Sequence, residues 1–210
     1  GGSSLGQGNL VVPAVVPSFG GTAIIGLEAE AVGLRPWEDS CSSPCYNMLR
    51  AVFDTLLEQD STGAYVGNAA TGITPNEDLT VWTLTLREGI TFHNGVAFNA
   101  QSIADMWVLQ QEGAAAAGHI GASKLANVEA TGDMEVTYTL SQANAAFPSF
   151  LSRMYIGGIF EPGAAAADSD AFSLAPVGSG PFVIASRDID NETVFTRNTN
   201  YWKTDAYGRQ

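Results

Sequence analysis

The stretch Thr74–Gly95, TPNEDLTVWTLTLREGITFHNG, contains the strongest structural signal in this chain. Apolar and polar side chains alternate strictly through Val81–Arg87, and this period of two predicts a strand with one buried face. The pairs Glu88-Gly89 and Asn94-Gly95 are turn signals that reverse the chain. The whole stretch therefore predicts a paired-strand unit.

A first helix is predicted upstream of this unit. Ser43 is a good N-cap and Pro44 suits the first helical position. Between Cys45 and Leu56 the apolar residues recur at helical spacing and form one stripe. Turn-forming residues at 60–63 are expected to end the helix.

Downstream of the unit, Asn99 can cap a second helix, whose apolar stripe lies within Ile103–Gln110. The Ala- and Gly-rich stretch Gly113–Ser123 is expected to be a loop. Apolar and polar residues alternate again between Met134 and Leu140, which predicts another half-buried strand.

Shorter signals occur elsewhere in the chain. They predict a strand at Gly21–Leu27, a short helix at Ala145–Leu151 interrupted early by Pro148, a helical turn at Ala164–Ala167, and strands near Phe182–Ile184 and Thr193–Arg197. Helices and strands mix without regular β-α-β alternation, so the expected class is mixed α/β, that is α+β.

Composition excludes some classes of function. The 210-residue chain has 22 acidic and nine basic residues, a net charge of −13. Nucleic-acid binding needs clustered Lys and Arg, so this charge argues against a nucleic-acid partner. It also disfavours docking on an anionic membrane surface. No apolar run is long enough to span a bilayer.

The two cysteines, Cys41 and Cys45, are separated by three residues. This spacing permits a local disulfide and fits an oxidising compartment, although half of a metal site or two free thiols are alternatives. A structural zinc site needs four ligands, and the histidines His93 and His119 lie far along the chain. We therefore favour the disulfide and expect no metal site.

Catalytic chemistry has no anchor in the sequence. No Ser or Cys lies beside an identifiable base, and His93 is expected to fix the turn in which it lies. Glu28 and Glu30 could act as paired carboxylates, but a solvated strand edge explains them as easily. The sequence therefore predicts a protein that is not an enzyme and has no cofactor.

An ordered set of segments resembles family 5 of the extracellular solute-binding proteins, whose familiar members bind oligopeptides, dipeptides or nickel. In Thr74–Gly95, as in the family signature, a strand ends in Leu-Arg, turns at Gly and leads through Phe-His-x-Gly to a capped helix. The other similar segments are Ile24–Trp37, Tyr46–Leu57, Asn144–Pro148, Val177–Phe182 and Arg197–Trp202. One segment departs from the pattern, because the family's Leu-Ala-x-Ser-Trp appears here as Asn68-Ala69-Ala70-Thr71-Gly72-Ile73.

The resemblance implies the N-terminal lobe of a bilobed periplasmic-binding-protein type II fold. Residues 1–20 are expected to be a flexible linker, which either follows a removed signal or lipid-bearing cysteine or is left over from cloning. Residues 21–210 would form the lobe. Within it, 21–42 and 175–210 are expected to form one subdomain and 43–174 an inserted subdomain, with the second lobe absent.

The resemblance also implies a function. Proteins of this type capture a small solute, such as a peptide, between two lobes and deliver it to the permease subunits of an ABC importer. The implied location is extracytoplasmic, either free in the periplasm or lipid-anchored on the outer side of the cytoplasmic membrane. The alternative is a lone lobe that serves as a structural or interaction module, which a large exposed apolar face would favour.

Two loops are implied to lie near the solute. The loop after the first strand would face the cleft, and its expected ligand-binding residues are Glu28, Ala29, Glu30, Ala31, Val32, Gly33 and Trp37. Glu30 would either meet a ligand amine or metal-bound group or be an exposed surface carboxylate. The turn Gly178-Ser179-Gly180 is expected near the cleft or hinge, although its glycines could be needed only for positive φ.

Overall fold

A computed structural model describes residues 20–205 and 207–209, so the predicted linker, apart from Gly20, lies outside the described residues. The helices in these residues are α1 Ser43–Val52, α2 Ala100–Glu112, α3 Ala114–Ser123, α4 Pro148–Leu151, α5 Met154–Gly157, α6 Pro162–Ala167 and α7 Ser169–Leu174. The strands are β1 Leu57–Gln59, β2 Tyr65–Gly67, β3 Ala70–Pro75, β4 Val81–Leu86, β5 Leu125–Gly132, β6 Glu135–Leu140, β7 Phe182–Asp188 and β8 Glu192–Arg197.

The central element is an antiparallel sheet with the strand order β3-β4-β6-β5. Trp82 of β4 lies opposite Tyr138 of β6, and Leu84 lies opposite Val136. All four side chains are buried in the core, and α2 packs against β5 and β6. The strands predicted around Val81–Arg87 and in 134–140 are confirmed, because alternation places one face of each in the core.

Two antiparallel hairpins complete the β structure. β1 pairs with β2, and β7 pairs with β8. The strands predicted near residues 182–184 and 193–197 are therefore confirmed as a hairpin. Helices and strands are mixed in this structure, as the predicted fold class requires.

Helix α2 begins as its sequence predicts. The Asn99 side chain accepts a hydrogen bond from the Ser102 amide at 3.0 Å, and the Ser102 hydroxyl lies 3.4 Å from the Asn99 amide. This reciprocal capping box satisfies two amides that the helix itself leaves without partners. The predicted stripe within Ile103–Gln110 is buried against the sheet.

Helix α1 buries the predicted stripe, but two details differ from the prediction. Ser42, not Ser43, is the N-cap, and no side chain caps the helix. The helix also ends at Val52 instead of near residues 60–63. A tertiary hydrogen bond explains this early end, because the Gly180 amide donates to the Val52 carbonyl at 2.8 Å.

The loop predicted at Gly113–Ser123 is wrong, because most of this stretch is helix α3. Alanine has the highest helix propensity, and four alanines at the start of α3 outweigh its two glycines. A tertiary contact adds to this preference, since the Ala116 amide donates to the Trp37 carbonyl at 3.0 Å. Pro148 does not interrupt its predicted helix either, because it is the first residue of α4.

The strand predicted at Gly21–Leu27 is also wrong. The described part of this segment has no strand pairing, and the side chain of Ile24 is 95% exposed. An apolar run forms a strand only where a neighbour satisfies its amides and carbonyls, and no described strand lies beside it. Across residues 20–205 and 207–209, no helix combines the length and apolarity needed to cross a membrane.

Candidate functional site

An open cavity of about 610 Å³ lies beside α1 and the hairpin β1-β2. Charged and polar side chains dominate its lining. The lining residues are Tyr46, Arg50, Phe53, Asp54, Thr55, Glu58, Gln59, Tyr65, Asn68, Ser152, Arg153, Met154 and Lys203. A cavity of this size matches a small-molecule ligand, and convergent polar groups of this kind can orient one.

The cavity gathers positive charge in an acidic chain. Arg50, Arg153 and Lys203 line it, although the whole chain has only nine Lys and Arg residues. The Lys203 ammonium lies 3.2 Å from the Glu58 carboxylate. Within the described residues, neither arginine forms an ion pair with a carboxylate. Two guanidinium groups are therefore available to an anion in the cavity.

Asp54 is a buried acid at the edge of the cavity, and its side chain is bound by three uncharged donors. The Trp202 indole nitrogen lies 2.8 Å from Oδ2, the Tyr201 hydroxyl lies 2.9 Å from Oδ1, and the Ser179 hydroxyl lies 3.1 Å from Oδ2. Burial raises the pKa of Asp54, and these hydrogen bonds offset only part of the rise. Asp54 thereby ties the end of α1 to residues 179 and 201–202.

The predicted ligand loop forms its own set of contacts, away from this cavity. Glu30 Oε1 lies 3.1 Å from an Nη atom of Arg187, whose side chain is 1% exposed. Arg187 also donates to the carbonyl oxygen of Ala31 at 2.6 Å. Partial burial alone would raise the pKa of Glu30, but the hydrogen bonds and the guanidinium charge lower it overall. Glu30 is thus an anion with an internal partner.

The other predicted ligand residues differ in their exposure. Glu28 and Ala29 are exposed and Val32 is 91% exposed, whereas Ala31 and Gly33 are buried. Trp37 is also buried, at 5% exposed, with its ring centroid 4.4 Å from that of Phe160. A ring in this position supports the loop from the core side. The predicted residues therefore do not share one surface.

The turn at residues 178–180 is packed against the end of α1. A Cβ atom on Gly178 would lie 2.1 Å from the carbonyl oxygen of Val52, and one on Gly180 would lie 2.6 Å from it. Neither glycine has a positive φ. The glycines are therefore required for close backbone approach, and the suggestion that they serve positive φ is wrong.

His93 has the structural role expected of it. Its Nε2 atom lies 3.0 Å from the Gly180 carbonyl oxygen, and the Gly178 amide donates to its Nδ1 at 3.3 Å. Burial lowers the pKa of His93, which favours the neutral ring that can accept at Nδ1 and donate at Nε2. The ring fixes its own turn against residues 178–180.

The predicted disulfide is present between Cys41 and Cys45, whose Cα atoms are 5.3 Å apart. It joins the segment that follows Trp37 to the first turn of α1. The Tyr155 hydroxyl accepts from the Cys41 amide at 3.3 Å, and the Tyr155 ring packs edge-on against Tyr46 of the cavity. Among the described residues, no group of three His, Cys, Asp or Glu side chains is placed to hold a metal ion.

The sequence-based prediction missed the cavity residues Arg50, Asn68, Arg153 and Lys203. One signal could have pointed to the three basic residues, because cations are scarce in a chain of net charge −13. Arg50 also lies opposite the buried stripe of α1, where a side chain reaches solvent. Their convergence, however, depends on four distant segments of the chain.

Comparison with known proteins agrees with this fold. The model of the bacterial extracellular solute-binding proteins, family 5 middle region, matches residues 64–210. The nickel-binding periplasmic protein of Escherichia coli K12 is 28% identical over 157 residues, covering 72% of this chain and 29% of that protein. The di/tripeptide-binding protein 1 of Pseudomonas aeruginosa UCBPP-PA14 is 25% identical over 225 residues, covering 94% of this chain and 41% of that protein.

A solved structure supports the same relationship. The nickel ABC transporter structure from Bacillus halodurans superposes with a TM-score of 0.69 at 26% identity, covering 83% of this chain and 34% of that one. The chain thus spans between 29% and 41% of the length of these relatives. The structural neighbours are bilobed solute-binding proteins, and this chain matches part of one. The chain belongs to family 5 of the bacterial extracellular solute-binding proteins.

Proposed function

We propose that this chain is part of the substrate-binding component of an ABC importer, which captures a peptide or similar small solute and delivers it to a membrane permease. The observation that carries the proposal is the cavity beside α1, in which two arginines without a carboxylate partner among the described residues face the solvent space. Relatives named for nickel and for di- and tripeptides support solute binding as the general role.

In this proposal the cavity is one wall of a cleft whose other wall comes from a second lobe. Closure of two lobes removes water from a ligand, so that a few polar groups determine its orientation. Glu28–Gly33 would contribute to a separate part of the cleft, outside the cavity, where Glu30 must exchange Arg187 for a ligand amine. Trp37 would act only through the loop that it supports.

The remaining parts of the proposal follow from the same assignment. The protein would act outside the cytoplasm, in the periplasm or anchored by lipid, and would have no catalytic activity. Residues 21–42 would form one subdomain with 175–210. The ion pair between Glu30 and Arg187 supports this grouping, since it joins the two segments directly.

The test is identification of the solute that the protein retains. The product of the complete gene would be purified without denaturant and then unfolded, and the released small molecules would be identified by mass spectrometry. We expect a peptide-sized solute in near-equimolar amount. Absence of any retained solute, together with no binding of peptides or carboxylates by calorimetry, would contradict the proposal.

One observation favours a second candidate, an interaction module without transport activity. Ile24 is 95% exposed, Ile25 is 78% exposed and Val32 is 91% exposed, so this segment presents apolar side chains to solvent. Such exposure is typical of a surface that another protein part covers. The gene sequence beyond codon 210 discriminates the two. A further lobe-length reading frame favours the solute-binding role, and a stop codon favours the module.

A further inference from the structure

This inference rests on the proposed function. We propose that Asn68 makes the cavity selective for solutes that carry both a carboxylate and an N–H donor. Short peptides are the chemical class that meets both requirements. Arg50 and Arg153 would bind the carboxylate, and the Asn68 carbonyl oxygen would accept the hydrogen bond from the N–H group.

Asn68 is a buried polar residue with an incomplete set of hydrogen bonds. Its side chain lines the cavity while the residue as a whole is only 5% exposed. Its Oδ1 atom is buried and has no hydrogen-bond partner among the described residues. Burying a carbonyl oxygen without a donor is unfavourable, so this atom indicates an absent donor.

The orientation of the Asn68 amide follows from its neighbour Thr55. The Thr55 hydroxyl donates to the Leu57 carbonyl at 2.7 Å, so its oxygen can only accept from Asn68. The Nδ2 atom of Asn68 lies 3.5 Å from that oxygen, which identifies Nδ2 as the donor and leaves Oδ1 unpaired. Because a 3.5 Å bond is long, it opposes rotation of the amide weakly, and Oδ1 can turn towards a donor in the cavity.

The charges around the cavity select the other half of the ligand. Lys203 is paired with Glu58, and Asp54 already accepts three hydrogen bonds. Arg50 and Arg153 are therefore cations of the cavity without a carboxylate partner, and Asn68 Oδ1 is its buried acceptor without a donor, among the described residues. A peptide with a free carboxylate satisfies all three, whereas a carboxylate chelator without an N–H or O–H group leaves Asn68 unpaired.

Replacement of Asn68 by leucine tests its role as a hydrogen-bond acceptor. A leucine could fill this position but could not accept a hydrogen bond. Asn68→Leu therefore removes the proposed recognition, together with the long hydrogen bond from Nδ2 to Thr55.

The experiment is a calorimetric titration of the product of the complete gene, freed of any retained solute, with three probes. These are trialanine, trialanine amide, which lacks the terminal carboxylate, and tricarballylate, a tricarboxylate without an N–H or O–H donor. We expect trialanine to bind with a Kd at least about tenfold lower than that of trialanine amide, since a hydrogen bond to a charged group is stronger than one to a neutral group.

Two variants separate the parts of the site. Asn68→Leu should weaken trialanine binding about tenfold and leave tricarballylate binding unchanged, because only trialanine uses the acceptor. Arg50→Gln should weaken both probes, with Lys124→Gln, which makes the same charge change outside the cavity, as its control. Thermal melts of each variant report whether the fold is intact, and Arg50→Gln provides a readout that does not depend on Asn68→Leu folding.

The outcomes distinguish this inference from the function on which it rests. Binding of tricarballylate but not trialanine, or equal trialanine binding by Asn68→Leu and the unaltered chain, would overturn the role of Asn68 and leave solute binding in place. Binding of none of the three probes would count against both.

Discussion

Replacement of Asp54 by alanine should destabilise the fold more than any other single loss of a carboxylate in this chain. Asp54 is 7% exposed and joins the end of α1 to the Ser179 turn and to Tyr201 and Trp202. With alanine in its place, three donors lose their acceptor at once. The two parts of the chain that these donors hold against the end of α1 would lose a shared anchor.

The magnitude follows from the exposure of each donor. Ser179 is fully buried, so its hydroxyl cannot turn to water, and an unpaired buried donor costs about 1–3 kcal/mol. The partly exposed Tyr201 and Trp202 can find water and lose about 0.5–1 kcal/mol each. Asp54→Ala also removes a buried carboxylate whose charge is costly to desolvate, and this gain in stability offsets part of the loss. We therefore expect a loss of about 3 kcal/mol in the free energy of unfolding.

Urea denaturation followed by tryptophan fluorescence measures this loss, with unchanged slope as evidence that the transition remains two-state. Asp78→Ala is the matched control, because Asp78 is exposed and such substitutions usually change stability by less than about 0.5 kcal/mol. A loss below about 1 kcal/mol for Asp54→Ala, or one equal to that of the control, would refute the anchoring role of Asp54.

Three further predictions concern the same framework. Gly178→Ala should destabilise the fold by about 2 kcal/mol, because the added Cβ would overlap the last carbonyl of α1. Gly72→Ala should be tolerated, because no atom lies within 4 Å of its added Cβ. Urea denaturation of both variants measures the difference. Reduction of the disulfide between Cys41 and Cys45 should lower the free energy of unfolding by about 2 kcal/mol, which is the chain-entropy value for so short a loop. Equal melting temperatures with and without reductant would contradict this prediction. The folded-state pKa of Asp54 is raised, so its protonated form stabilises the fold fully below the ordinary pKa of 3.8, and this contribution is lost as the pH rises through the folded-state pKa. The free energy of unfolding of the unaltered chain, relative to that of Asp54→Asn, should therefore increase as the pH falls towards 3.8. A difference that does not change with pH would show the sign to be wrong.

The parts of the fold that could be predicted are those whose signal lies within a few adjacent residues. Strand β4 was found from strict alternation and α2 from the Asn99 cap with its apolar stripe, because burial of one face imposes each period locally. The loop prediction for 113–123 is wrong because alanine favours a helix whereas glycine favours a loop. The contact of Ala116 with the Trp37 carbonyl, which supports the helix, is not visible in local sequence.

Predictions about the site were less complete for a related reason. The disulfide and the turn role of His93 depend on short-range spacing or on a single turn, and the structure contains both. Glu30 was identified as a candidate ligand residue, yet its pairing with Arg187 depends on a hairpin at the other end of the chain. The resemblance places Trp37 beside the cleft, whereas its ring lies in the core of the described structure.

The sequence alone determined strands β4, β6, β7 and β8 and helix α2, the resemblance to the family, and the lack of a recognisable catalytic motif. Only the tertiary structure decided that Arg50, Arg153 and Lys203 meet around one cavity and that Asn68 retains an unpaired oxygen there. The physical reason is the separation along the chain of the residues that set each property. Periodicity and capping are properties of neighbouring residues, whereas burial and charge proximity depend on which distant segments pack together.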